Sequence, residues 1–325
     1  MRIRIQFLLL LIIAVLAGIN CNAPRNNPLD PLNPDYNYGS IIGTVQTTGN
    51  PSFGVSGVNI FWENANLNTR TDANGAFTLN NIPIEDGNII FSRTGYKSDT
   101  LFVVWGSSKR FITLTFLNRI PTLDTVSIYT VVVNDFFPLQ TAQLFVNAWV
   151  RDLDGDIDSV FVFNASLNLK KPLIFSAGQG NYQTAINEDS LNVNDIEETI
   201  GLDFSILVKD RSQNEYTLGS ERITRVIKDQ VTGLLPSTDD TVSSQPVVLS
   251  WNKFNAGYSF TYIIELYSNT FPNPQLIDTK TDIAKDSTSY TLPLNLLEGR
   301  YTWVIWIKDQ FQNRSRSLPV NFRIP

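Results

Sequence analysis

From Ser40 onward the chain is a series of short apolar stretches in which every second residue is apolar, separated by Gly, Pro, Asn and Asp. Successive strand side chains point to opposite faces, so a period of two buries one face of a sheet. No segment keeps a helical period over three turns; Leu191–Ile200 is the one short helical candidate. Many short strands with turn signals about every 8–12 residues predict an all-β chain of stacked sandwiches. At roughly 100–200 residues per domain, 325 residues hold two to three of them. The turn-rich stretches Asn118–Pro121 and Leu235–Thr241 suggest breaks, and the expected modules are 40–118, 119–227 and 228–325.

Composition removes several chemistries. There is no His and one Cys. A Ser-His-Asp or Cys-His pair, a His-ligated zinc, an imidazole base and an intrachain disulfide are therefore all excluded. Ser107-Ser108-Lys109 lacks Ser-x-x-Lys spacing, there is no Gly-rich phosphate loop, and Glu85-Asp86 and Glu197-Glu198 sit in no recognisable motif. The expectation is a protein that is not an enzyme.

Arg2 and Arg4 precede the apolar run Phe7–Ala17. Such a run falls short of the roughly 20 residues that span a bilayer, so 1–20 are expected to be a signal peptide. Cys21 follows directly, and Gly18-Ile19-Asn20-Cys21 resembles the bacterial lipobox, with Asn20 where a small apolar residue is usual. The resemblance implies acylation of Cys21 after cleavage, export, and a lipid anchor in the bacterial envelope, in the outer membrane; the alternative is an ordinary secretory signal with a stray Cys. Loss of Arg2 and Arg4 leaves 23 basic against 31 acidic residues, a net −8. With no basic run, nucleic acid is not an expected partner. Pro24, Pro28, Pro31 and Pro34 favour an extended chain, so 21–39 are expected to be a tether.

Within 40–118 the order is Ile41-Ile-Gly-Thr-Val45, Val55-Ser-Gly-Val-Asn-Ile-Phe61, Thr69-Arg-Thr-Asp-Ala-Asn-Gly-Ala-Phe-Thr-Leu79, then Gly95-Tyr96. Asp72-Ala-Asn-Gly75 is expected to be a hairpin turn, because Asn74 and Gly75 tolerate positive φ. The order resembles the carboxypeptidase regulatory-like domain. That resemblance implies a prealbumin-like β-sandwich, the non-catalytic companion of a peptidase, and no hydrolysis.

The remaining two modules echo one another. Phe204-Ser-Ile-Leu-Val-Lys-Asp-Arg-Ser-Gln-Asn214 aligns with Trp303-Val-Ile-Trp-Ile-Lys-Asp-Gln-Phe-Gln-Asn313 at an offset of 99 residues. That is about the length of one immunoglobulin-like sandwich, which predicts the same late hairpin in two tandem copies. Val247–Trp251 supplies an early strand with a core Trp, and Tyr301 stands where a tyrosine corner would close. The last module thus resembles a fibronectin type III domain. The middle one resembles bacterial immunoglobulin-like and polycystic-kidney-disease-type domains through Val150–Val160.

Two groups of residues are candidate sites. Asp152, Asp154, Asp156 and Asp158 alternate around Gly155, and carboxylates two apart on a tight loop can converge on calcium. The alternative is a solvated turn, where Asp and Gly are favoured for backbone reasons. Alternation also puts Trp306 opposite Trp303, Ile305 and Ile307, and puts Phe145 and Trp149 opposite Leu144, Val146, Ala148 and Val150. An aromatic exposed on a sheet can stack on a sugar or anchor a protein; alternatively a neighbouring module covers these faces.

The sequence therefore predicts a non-catalytic, lipid-anchored envelope protein presenting β-sandwiches for adhesion, scaffolding or protein-partner binding. Its alternative is a carbohydrate-binding lipoprotein serving polysaccharide uptake or degradation. The expected partners are the membrane, through the anchor, and an envelope protein or glycan.

Overall fold

A computed structural model describes residues 27, 30, 32–33, 35–269 and 274–325; the predicted signal peptide and Cys21 lie outside them. The chain is all-β and divides into two compact units, one ending at Ile120 and the other running from Pro121 to Pro325.

Among the described residues the first unit has seven strands: β1 (Tyr38–Thr47), β2 (Asn59–Trp62), β3 (Leu67–Arg70), β4 (Ala76–Pro83), β5 (Gly87–Ser92), β6 (Asp99–Val103) and β7 (Arg110–Leu117). They form two sheets, β4-β1-β7 and β3-β2-β5-β6. Every second residue of β1 is buried, which is the predicted period of two. Ile41, Val45, Trp62, Ile89, Phe91 and Leu117 meet in one core between the sheets. The Asp72–Gly75 turn differs from expectation. It is tight, with the Asp72 carboxylate accepting the N–H groups of Asn74 and Ala76. But β3 pairs with β2 and β4 pairs with β1, so the turn carries the chain from one sheet to the other rather than closing a hairpin.

The second unit holds two large cores. Strands β8 (Thr122–Asn134), β9 (Gln140–Arg151), β10 (Ile157–Asn164), β11 (Leu169–Ser176), β12 (Asn181–Asn187), β13 (Asp203–Asp210) and β14 (Glu215–Arg222) enclose the first. It is built from Leu144, Val146, Val160, Val162, Phe204 and Ile206, each worth about 1.5–3 kcal/mol on full burial. Leu169–Leu173 of β11 pair with β10 and Ile174–Ser176 pair with β12, so this strand turns the corner between the two layers. The helical candidate Leu191–Ile200 forms only a single 3-10 turn, Ile196–Thr199. Asn192 at φ +54° breaks any longer helix.

The other core lies among β15 (Asp240–Thr241), β16 (Val248–Ser250), β17 (Phe260–Ser268), β18 (Gln275–Ala284), β19 (Ser289–Thr291), β20 (Gly299–Asp309), β21 (Arg314–Arg316) and β22 (Val320–Ile324). Trp251, Tyr262, Trp303, Ile305 and Ile307 fill it. The Tyr301 hydroxyl donates to the Leu297 carbonyl at 2.8 Å, closing the expected tyrosine corner.

The sequence echo is one turn built twice. In each copy an Asp that is almost fully buried (Asp210, Asp309) accepts the backbone N–H and side-chain amide of an Asn four residues on. In each, the Gln before that Asn has positive φ. The second copy does more. Its strand β21 pairs parallel with β8, Arg314–Arg316 against Val131–Val133, and fuses both sandwiches into one continuous sheet. Asn313 Oδ1 accepts the Thr130 N–H and hydroxyl, and Asn134 Nδ2 donates to the Arg316 carbonyl. Val131, Ile263, Val304 and Trp306 form a small fourth core over this seam.

Candidate functional site

The outward faces of β8, β9 and β12 line a groove of about 870 Å³ in the second unit. Register builds it in rows. Ser127, Asn147, Gln183 and Ile174 stand side by side across four strands, and Tyr129, Phe145 and Ala185 form the next row. Tyr129 and Phe145 stack with centroids 5.4 Å apart and planes 6° from parallel. Trp149, half-buried, lies on the other side of Asn147 along β9. Gln312, from the turn that follows β20, lines the groove too, so the seam helps to form it.

Among the described residues the lining holds no carboxylate, amine or guanidinium. Its polar groups are amides and hydroxyls, which donate and accept without carrying charge. Asn181 is 1% exposed; its Nδ2 reaches Asn147 Oδ1 at 3.5 Å, while its own Oδ1 has no hydrogen-bond partner among the described residues. A buried acceptor left open costs about 1–3 kcal/mol. Such a face can bind a neutral molecule through ring stacking and amide hydrogen bonds, and it offers no acid–base pair for hydrolysis.

The sequence-predicted aromatics divide. Phe145 and Trp149 line the groove. Trp306 does not: it faces away from the Trp303 side, as alternation requires, yet is only 9% exposed. It belongs to the seam core, with the Arg314 guanidinium 4.9 Å from its ring centroid. The covering element is β8 of the preceding sandwich, so Trp306 is no open binding platform.

The acidic loop Asp152–Asp158 is closed by hydrogen bonds of its own. Asp152 is folded onto its own turn, accepting the N–H groups of Asp154 at 3.2 Å and Asp156 at 2.8 Å. Asp158 accepts the Ser159 hydroxyl. Among the described residues no three His, Cys, Asp or Glu side chains lie together to hold a metal. Burial, with the charges of Asp152, Asp210 and Asp154 close by, pushes the Asp156 carboxyl up to about 6.

Tyr129, Asn181, Gln183 and Gln312 were not read from the sequence as site residues. The alternation Asn181-x-Gln183 is a signal, but only the pairing of β12 with β9 sets it beside Asn147. In the first unit, Ile112, Leu114 and Phe116 are 70%, 55% and 45% exposed along β7, an edge strand.

Among solved structures, the chain is similar to the FN1–FN3 domains of chicken CNTN1, at 9% identity over 88% of this chain and 98% of that one, TM-score 0.32. It is similar also to the fibronectin(III)-like modules of CbhA from Clostridium thermocellum (11%, 63% and 93%, TM-score 0.32) and to BcpA, the major pilin subunit of Bacillus cereus (9%, 88% and 97%, TM-score 0.25). Likenesses this distant say nothing about what the chain does. No curated protein matches it. One family model does, over residues 41–128, and the seven-stranded first unit accordingly carries a CarboxypepD_reg-like domain.

Proposed function

We propose that this chain is a non-catalytic binding protein of the bacterial envelope, anchored by a lipid on Cys21 and binding through the groove of its second unit. The observation that carries the binding role is the neutral lining: stacked aromatics and amides converge there, and among the described residues no carboxylate, amine or guanidinium joins them. The anchor rests on the lone Cys behind an apolar leader. Expressed in a diderm bacterium, the full chain partitions into the membrane fraction, and Cys21→Ser moves it to the soluble fraction. Membrane retention with unchanged processing overturns the anchor.

The exposed row on β7 supports a second surface. An uncovered apolar edge strand adds an extended strand of a protein partner through its free backbone groups. A photo-crosslinker placed at Phe116 captures one defined envelope protein in cells, and Leu114→Lys abolishes that product without lowering the melting temperature. A product indifferent to Leu114→Lys overturns this surface.

A further inference from the structure

We infer that the groove on β8, β9 and β12 takes a neutral oligosaccharide, a claim that rests on the groove being the binding site. Trp149 is four residues from Phe145 along β9, about 13 Å at strand rise. The aromatic platforms at Trp149 and at the Tyr129–Phe145 stack are therefore too far apart for one sugar ring to touch both, and a chain of rings reaches them together. Between them Asn147 and Gln183 present amides in register. Sugar hydroxyls both donate and accept, matching amides that do the same, while the C–H face of a pyranose packs on an aromatic ring.

The other occupants fit less well. An anionic polymer would lose hydration with no cation in the lining to compensate it. An apolar peptide side chain would cover the partly exposed amides of Asn147 and Gln183 without giving them partners. The volume, about 870 Å³, lies within the range of small-ligand sites and suits several linked rings.

The test is calorimetric titration of the detergent-solubilised full chain with cellohexaose, xylohexaose, mannohexaose and maltohexaose, and with hexagalacturonate as the anionic counterpart. At least one neutral hexaose binds and hexagalacturonate does not. Trp149→Ala weakens binding by about tenfold or more, and Gln183→Ala by about fivefold, at unchanged melting temperature. Gln183→Ala, the milder change, decides the matter should Trp149→Ala melt early. The assignment is overturned if no neutral hexaose binds at millimolar concentration, if hexagalacturonate binds equally well, or if Gln183→Ala binds like the parent. Those failures sink the saccharide and leave the Cys21→Ser result untouched, so loss of the ligand class and loss of the anchor are told apart.

Discussion

Asn313 Oδ1 accepts both the backbone N–H of Thr130, at 2.9 Å, and its hydroxyl, at 3.2 Å, across a sequence separation of 183 residues. Both residues are buried, so neither group can fall back on water. One amide oxygen thus joins the late turn of the last sandwich to the first strand of the sandwich before it. Asn313→Ala leaves the Thr130 N–H unsatisfied and is expected to cost about 2–3 kcal/mol in urea unfolding. Combined with Thr130→Val it should cost less than the two single changes added, with a coupling of about 1 kcal/mol. Strict additivity would show that the seam does not depend on this contact.

The Asp156 carboxyl makes stability pH-dependent. Its folded value of about 6 lies above the ordinary 3.8, so the folded state binds the proton more tightly than the unfolded one. The group favours folding fully below about pH 4, and that contribution is lost as pH rises through about 6. Asp156→Asn removes the penalty, raising stability at pH 7 by roughly 1 kcal/mol after solvent screening, and changing little at pH 4. Melting curves at the two pH values check this; an equal gain at both refutes it.

Asp152 spends hydrogen-bonding capacity on its own turn, and among the described residues no three carboxylates are grouped to hold a metal. Millimolar calcium should leave the melting temperature of the full chain unchanged. A rise that Asp154→Asn abolishes would restore calcium to the loop.

Tyr301→Phe deletes the hydroxyl that donates to Leu297 and leaves the ring in place against Phe322. The expected loss is about 1 kcal/mol, measured by urea unfolding. A neutral result would make the corner a matter of ring packing alone.

Gly75 combines φ +80° with a position where a Cβ would stand 2.3 Å from the Val45 carbonyl oxygen. Gly75→Ala should cost at least about 2 kcal/mol. Gly75→Asn should not rescue it, since tolerance of positive φ does not relieve a backbone clash. Proteolytic susceptibility of the first unit is the readout.

Local rules already written in the sequence carried a good part of the architecture. Alternation alone placed Tyr301, Trp303, Ile305 and Ile307 on a core face, and the structure buries all four. It placed Leu144, Val146 and Ala148 inward, and they are buried together. The shared Lys-Asp-x-x-Gln-Asn signature named two matching turns, because a buried Asp accepting from an Asn four residues on is a local device.

What alternation could not supply was the cover on the opposite face. Trp306 and Trp149 both lie opposite core residues by the same period of two, yet one is sealed in the seam and the other borders a groove. The difference is made by β21 pairing with β8, a contact between residues more than 180 positions apart that leaves no periodic trace. The acidic loop shows the same limit, since spacing put four carboxylates within reach of one another but could not show Asp152 turning back onto its own backbone. Strand identity, face and turn chemistry are set by neighbours along the chain, and the sequence by itself determined them. Which faces are covered, and which amides meet in one groove, depends on long-range strand pairing and register, so the tertiary structure alone decided them.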